Sequence, residues 1–415
     1  MLDSLSLRAP NQYLSLPVLG EVLEGLCNWL QARGYPPKAI RRRVHGSPLL
    51  AAALRRRGLR SLGGLTASAL RALAPKPTYW TAQLACSLVR SLTEYLRERG
   101  ELASPPASPT EMRVSAYCGH LARVRGLAPS TVERNGLRMA EFLRFLEYDA
   151  DPRRLRVLKI AQVDAFLAQK GRRLGRASMQ KVTAMLRSFL RFLTADGEVP
   201  TGLDAQVDSP RCFRGERLPR ALPWTAVRKL LCSIDRSTPK GRRDYAMMLL
   251  IATYGLRVSE VAALRIDDVS WRSRQIRVPR PKVGTPLLQP LTDEVATALL
   301  DYVRHGRGCS PHRHIFLRVR VPIGPLKSTA VSDAFDVWAD RSGIQLPAPG
   351  AGGPHCLRHS LAVHLLRQGT SVKTIGALLG HRSAESTCVY LRLQVEDLRH
   401  VALPLHLPAT PEVAE

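Results

Sequence analysis

Residues 354–390 read PHCLRHSLAVHLLRQGTSVKTIGALLGHRSAESTCVY. In this stretch His355 and Arg358 stand three residues apart, a spacing that places both on one face of a helix. His381 follows an apolar segment and a glycine, and Tyr390 comes nine residues later. Fixed cations stabilise the charge that grows on a phosphate under attack, and a phenol becomes a useful nucleophile only beside cations or a base. The pattern therefore indicates covalent attack on a phosphodiester.

Two further basic residues upstream fit the same chemistry. Arg257 follows a glycine turn at the start of a predicted helix, a position that favours an anion. Lys282 falls in the turn of a predicted hairpin.

Each of these residues taken alone has an ordinary structural interpretation. Arg257 can simply pair with Glu260, and His355 with Arg358 can be a satisfied surface pair. Tyr390 by default is a half-buried core tyrosine. The order and spacing of the whole set favour the functional interpretation over these separate ones.

The charge of the chain indicates a polyanionic partner. Among 415 residues, 62 Lys and Arg stand against 34 Asp and Glu, for a net charge of +28. Fifty-two of the basic residues are arginine, which binds phosphate and guanine edges in a bidentate manner. A GC-rich coding bias explains arginine over lysine, but it does not explain the scarcity of acids.

Other classes of protein are disfavoured. The apolar run 246–252 is far shorter than the ~20 residues that span a bilayer, and no export signal is present. The eight cysteines lack a Cys-x-x-Cys pair, which is typical of reduced thiols in the cytoplasm. Cys309, His312 and His314 are close in sequence, but without a second pair at ligand spacing they are better explained as surface loop residues.

The pattern along the chain predicts several domains. They are an N-terminal helical extension at 1–104, a helical domain at 105–200, a basic linker at 201–223, a mixed domain at 224–403 and a tail at 404–415. The extension carries fifteen Lys and Arg against six Asp and Glu, including the runs 41–43 and 55–57, which are either solvated faces or phosphate contacts.

Local signals predict individual elements. Leu88, Leu92 and Leu96 indicate a helix in the extension. Ser130 and Glu133 match a capping box, with Leu137, Ala140, Phe142 and Leu143 expected on the core face of the following helix. In the mixed domain, residues 275–278 and 287–291 are predicted hairpin strands, 314–317 a third strand and 372–379 a helix that ends at Gly380.

The chain from about 110 to 400 resembles the tyrosine recombinase (phage integrase) family, which includes the Xer recombinases and mobile-element integrases. The resemblance is carried by residues 254–261, 354–360, 378–383 and 387–390 and, in the helical domain, by 128–133 and 186–193. It implies a mainly α fold with a small β-sheet in an α+β catalytic domain. It also implies a multi-domain C-shaped clamp on DNA, with 105–200 as a core-binding domain.

The resemblance implies a role for each site residue. Tyr390 attacks the scissile phosphate to give a 3′-phosphotyrosine, while Arg257 and Arg358 hold the non-bridging oxygens and His381 donates a further hydrogen bond. Lys282 protonates the leaving 5′-oxygen, although Arg280-Pro281-Lys282-Val283-Gly284 departs from the family's usual Gly-Lys-Gly. His355 is the base or orienting group for the phenol. No metal or other cofactor is expected, because the phosphotyrosine retains the bond energy for rejoining.

The same resemblance implies the partners and the setting. They are double-stranded DNA with inverted-repeat target sites, and a synaptic tetramer of this chain or of sister recombinases that passes through a Holliday junction. A bacterial mobile element, a cytoplasmic protein that joins the nucleoid when bound to DNA, and a tail helix at 395–403 are expected. The alternatives are a type IB topoisomerase-like enzyme that nicks and reseals, and a catalytically inactive DNA-binding accessory protein.

Overall fold

The computed structural model describes residues 11–213, 219–280, 285–346, 353–381, 383 and 385–393. Lys282 and the expected tail helix at 395–403 lie outside these residues. The chain divides into two compact units, one of Met1–Arg60, Leu73–Tyr95 and Arg217–Glu415, the other of Ser61–Ala72 and Leu96–Glu216.

Over the described residues the fold is mainly helical with one small sheet, as predicted. The helices are α1 Asn11–Leu14, α2 Gly20–Ala32, α3 Pro37–Val44, α4 Ser47–Arg56, α5 Ala67–Arg71, α6 Trp80–Glu98, α7 Pro109–Arg123, α8 Pro129–Phe145, α9 Ile160–Gly171, α10 Arg176–Ala195, α11 Leu203–Gln206, α12 Trp224–Cys232, α13 Pro239–Tyr254, α14 Val258–Ala263, α15 Asp293–His305, α16 Ser328–Ser342, α17 His355–Arg367, α18 Val372–Leu379 and α19 Glu385–Cys388. The strands are β1 Val269–Ser270, β2 Gln275–Val278 and β3 Leu287–Pro290, and 3-10 helices lie at Pro152–Leu155, Ile266–Asp268 and Val389–Leu393.

Apolar stripes at helical spacing bury α2 and α6 near the N-terminus. Leu88, Leu92 and Leu96 are all buried, which confirms the predicted helix. Trp29 of α2 meets Tyr95 of α6 edge to face, with ring centroids 5.9 Å apart. Such aromatic pairs stabilise a helix contact beyond the area that they bury.

A capping box begins the helical domain, but not at the predicted place. The Ser108 hydroxyl accepts a hydrogen bond from the Glu111 backbone N–H at 3.2 Å, and the Glu111 carboxylate accepts one from the Ser108 N–H at 3.1 Å. The box predicted at Ser130 is wrong, because α8 begins one residue earlier at Pro129. Proline is favoured in the first helical turn, since its missing N–H has no intrahelical partner there.

The core of this domain is aromatic. Phe142, Phe166 and Phe189 are fully buried, and Phe142 meets Phe166 at 5.1 Å between centroids. Leu137 was expected in the core but is 61% exposed. It lies two residues before the buried Met139, which turns it about 200° away from the core face of α8. It therefore points to solvent with the arginines of that helix.

The mixed domain is built around α13, whose residues 246–252 are all buried. Strands β1, β2 and β3 form an antiparallel sheet in that order, with Val278 opposite Leu287 across the predicted hairpin. The third strand predicted at 314–317 is wrong: β1 takes that place, and 314–317 makes only isolated bridges. Across the described ranges, no helix is both long and apolar enough to cross a membrane.

Candidate active site

Helix α17 places Arg358 at the centre of the site, where the side chain is 2% exposed. One guanidinium nitrogen donates to the Gly255 carbonyl at the end of α13, and the other donates to the Leu379 carbonyl at the end of α18, at 2.8 Å. The last carbonyls of a helix have no partner within it, so Arg358 satisfies two helix ends at once. Burial lowers the pKa of Arg358 to about 10, which still leaves it charged at neutral pH.

The hairpin fixes the turn that carries His381. The Gln289 amide of β3 donates to the Leu378 carbonyl at 2.9 Å, and the Arg280 guanidinium after β2 donates to the Gly380 carbonyl. Gly380 ends α18 with φ 61°, as predicted, a left-handed conformation that glycine adopts without strain. Together with Arg358, these side chains cap three consecutive carbonyls just before His381. Sequence reasoning missed Gln289 altogether.

Gly255 sets the position of the other arginine. Its φ is 63°, and a Cβ atom there would lie 2.3 Å from Leu379 Cδ2, so both the turn and the packing require glycine. Arg257 follows as the N-cap residue of α14. Its guanidinium pairs with the Glu260 carboxylate at 2.7 Å, yet its side chain remains 33% exposed. The ion pair thus orients a cation that solvent can still reach.

His381 follows the turn that Arg358 and Arg280 hold, and it lies beside Tyr390. Its Nδ1 is 2.8 Å from the Thr387 hydroxyl, and its ring is 6.4 Å from the Tyr390 ring at an angle of 14°. Burial, and then the charges of Arg358 and Arg257, lower the pKa of His381 to about 4. The imidazole is therefore neutral at pH 7 and keeps one N–H to donate.

Tyr390 is 2% exposed and packs against Leu361, Ile375 and Leu379. Its hydroxyl lies 2.9 Å from Nδ1 of His359. Burial raises the pKa of Tyr390, while the charges of Arg358 and Arg257 oppose that rise. The core interpretation of this tyrosine is thus correct for its ring, whereas its oxygen lies within the field of both arginines.

The contact with the phenol expected of His355 is made by His359, one helical turn further along α17. His355 begins the helix and is exposed, and its ring lies 4.9 Å from that of His359. Partial desolvation by the surrounding protein, and then the positive charges of Arg358 and Arg257, lower the pKa of His355. The spacing of four residues within the motif was the signal that could have identified His359.

The structure thus brings together five of the six predicted site residues: Arg257, His355, Arg358, His381 and Tyr390. The sixth, Lys282, falls outside the described residues. Within the part of the chain that is described, no three His, Cys, Asp or Glu side chains are grouped to hold a metal ion. Cys309 and His312 are exposed.

Comparison with family models and relatives agrees with this geometry. Residues 222–397 match the phage integrase family, and residues 114–197 match the SAM-like N-terminal domain of phage integrases. A protein of Sinorhizobium fredii named as an integrase/recombinase, y4rA, is 36% identical over 76% of this chain and 77% of its own length. Tyrosine recombinase XerD of Listeria monocytogenes is 30% identical over 68% of this chain and 94% of its own length.

Solved structures share the fold. A lambda integrase dimer bound to a COC′ core site has a TM-score of 0.53 at 19% identity, over 74% of this chain and 86% of that one. The XerH recombinase bound to a palindromic difH substrate has a TM-score of 0.53 at 16% identity, over 72% and 90% of the two chains. A lambda integrase tetramer bound to a Holliday junction gives 0.51 at 20% identity, over 72% and 86%.

Proposed function

The chain belongs to the phage integrase family of tyrosine recombinases, enzymes of site-specific DNA recombination, and we propose that Tyr390 is its nucleophile. The observation that carries the assignment is that the Tyr390 ring lies 6.4 Å from the ring of His381, in the turn that the buried Arg358 holds through the Leu379 carbonyl. Attack on the scissile phosphate gives a 3′-phosphotyrosine and a free 5′-hydroxyl, and the reverse reaction rejoins the strand.

The two arginines suit the non-bridging oxygens in different ways. Arg358 gives two of its five N–H donors to protein carbonyls, so three remain for a phosphate. Arg257 is partly exposed and anchored by Glu260, which leaves its guanidinium accessible to DNA. With Nδ1 accepting a hydrogen bond from the Thr387 hydroxyl, neutral His381 donates its single N–H, on Nε2, to the phosphate. Preorganised donors of this kind act where charge develops, and they need no rearrangement during the reaction.

The proton transfers are assigned on chemical grounds. Lys282 protonates the leaving 5′-oxygen, because an ammonium group can release a proton, whereas a guanidinium is a poor proton donor and that of Arg280 holds the Gly380 carbonyl. His355 is the base or orienting group for the phenol, and its ring lies 4.9 Å from that of His359, which contacts the Tyr390 hydroxyl. Its lowered pKa favours the neutral form, which can accept a proton.

The expected partners follow from the family and the charge. The proposed partners are double-stranded DNA with inverted-repeat sites and a tetramer of this chain or of sister recombinases. Solved structures of similar fold include a DNA-bound dimer and a tetramer on a Holliday junction. A bacterial mobile element and the cytoplasm are the proposed setting. Closure around DNA as a C-shaped clamp stays a prediction.

The test is a nicked suicide substrate that carries the target site of the element. We expect a covalent adduct on a denaturing gel, and proteolysis of the adduct should map the 3′-phosphate to the peptide that contains Tyr390. A 3′-phosphate mapped to another residue would refute the assignment of the nucleophile. Relaxation of supercoiled DNA that lacks the site would favour a topoisomerase, and a chain that forms no adduct at all would be an accessory protein.

We also propose that residues 1–104 contact DNA or assist oligomerisation. Arg55 and Arg56 in the last turn of α4 and Arg60 after it are exposed. Basic residues at a helix C-terminus also stabilise the helix dipole, which is the structural alternative.

Replacing Arg55, Arg56 and Arg60 by glutamine should distinguish these roles. If all three bind phosphate, the slope of log K for DNA against log salt should fall by roughly 2 to 3, at about 0.9 for each contact. This slope is measured by equilibrium binding to a duplex over a range of salt concentrations. An unchanged slope, with circular dichroism showing an intact fold, would exclude phosphate contact at these positions.

A further inference from the structure

Helix α17 brings His359, which has no role in the cleavage scheme, into contact with the oxygen that reacts. Its Nδ1 lies 2.9 Å from the Tyr390 hydroxyl, and the two rings meet at 5.5 Å between centroids with an angle of 59°. This distance is that of a good hydrogen bond between a hydroxyl and a ring nitrogen. The nucleophile therefore begins the reaction with its oxygen engaged.

The surroundings of His359 keep its ring neutral. Burial, and then the charges of His355, Arg358 and His381, lower the pKa of His359 to about 4, so the ring is neutral at physiological pH. A neutral imidazole has one nitrogen that donates and one that accepts. In the tautomer with its proton on Nε2, Nδ1 of His359 accepts a hydrogen bond from the Tyr390 O–H. So weak a base holds the phenolic proton without removing it.

The short helix that carries Tyr390 and the packing around its ring do not orient the hydroxyl, so a hydrogen bond is needed to do so. Tyr390 lies on the short 3-10 helix Val389–Leu393, and its ring is surrounded by apolar side chains of α17 and α18. Apolar packing is not directional, whereas a hydrogen bond is. The oxygen held in this way stays in the field of Arg358 and Arg257, the two groups assigned to the phosphate.

We propose that His359 is a positioning residue for strand cleavage, which accepts the hydrogen bond of the Tyr390 hydroxyl and so directs that oxygen toward the phosphate between the two arginines. The proposal rests on the assignment of Tyr390 as nucleophile. It gives different roles to two histidines one helical turn apart. His359 orients the phenol, and His355 is left as the candidate base.

Two substitutions at this position separate the hydrogen bond from the packing. In His359→Asn the side-chain oxygen stands where Nδ1 stood and can accept from the phenol, although it cannot be protonated at neutral pH. His359→Leu has a similar bulk and no acceptor. The measurement is the single-turnover rate of adduct formation on the suicide substrate, with protein at saturating concentration so that DNA affinity does not contribute.

We expect the asparagine variant to cleave within roughly threefold of the wild-type rate and the leucine variant to be about ten- to a hundredfold slower. Both should bind the intact site as the wild type does. A leucine variant as fast as wild type, or an asparagine variant as slow as a folded leucine variant, would overturn the proposal. A wild-type chain that forms no adduct at Tyr390 would instead overturn the proposed function itself.

Discussion

Tyr390→Phe is expected to abolish adduct formation, with the cleavage rate reduced by at least about four orders of magnitude, the scale seen when an enzyme loses its nucleophile. The phenyl ring can keep the packing of Tyr390 against Leu361, Ile375 and Leu379. The variant loses one hydrogen bond, to His359, which contributes only about 0.5–1.5 kcal/mol to the free energy of unfolding. Chemistry should therefore be lost while the fold is retained.

A second buried tyrosine of the same domain provides the matched control. Tyr302 is 1% exposed, and its hydroxyl accepts a hydrogen bond from the Leu317 backbone N–H at 3.2 Å. Tyr302→Phe removes a comparable contact, so the unfolding midpoint in urea should shift by a similar amount. Only the change at Tyr390 should eliminate the covalent band on a denaturing gel. Equal loss of the band in both variants would show that the effect is structural.

Arg358→Lys is expected to damage the fold and the chemistry together. Lysine has one compact ammonium group and cannot span the Gly255 and Leu379 carbonyls, which Arg358 reaches with separate nitrogens. A buried polar group left without a partner costs about 1–3 kcal/mol, so we expect unfolding in urea to require about 1–3 kcal/mol less free energy. Cleavage should fall by about a thousandfold, because the phosphate loses a preorganised donor.

Arg257→Lys separates these two effects. Arg257 is partly exposed and pairs with Glu260 within its own helical turn, and a lysine preserves that charge pair. The free energy of unfolding should change by less than about 1 kcal/mol, while the cleavage rate falls strongly. If both arginine variants were equally unstable, Arg358 would not be the residue that joins the helix ends.

Several elements were predictable because their causes are local. The stripe of Leu88, Leu92 and Leu96 predicted a helix that the structure contains, and Gly380 predicted the end of α18. Hairpin strands were predicted at 275–278 and 287–291 on either side of a turn that includes Gly284, and the structure has them at Gln275–Val278 and Leu287–Pro290. Periodicity, capping and turn chemistry act over a few residues, so one stretch of sequence contains the information.

Other predictions failed because competing local signals or distant partners determine where a helix begins, which segment pairs as a strand and which helix face is buried. Ser130 matched a capping box, but Pro129 begins the helix one residue earlier. The apolar segment 314–317 resembled a strand, yet β1 pairs with β2 instead and 314–317 makes only isolated bridges. Leu137 was predicted in the core, but the buried face of α8 carries Met139 and Phe142, and Leu137 lies on the other side of the helix.

The sequence by itself determined the family and the ordered set of Arg257, His355, Arg358, His381 and Tyr390, because residue types and spacing define the chemistry. Only the tertiary structure decided how that set is held. Arg358 joins the ends of two helices, Gln289 and Arg280 cap the turn before His381, and His359, not His355, contacts the phenol. These contacts join residues 21 to 103 positions apart or lie across elements, and no local pattern specifies which carbonyl or hydroxyl a buried donor or acceptor meets.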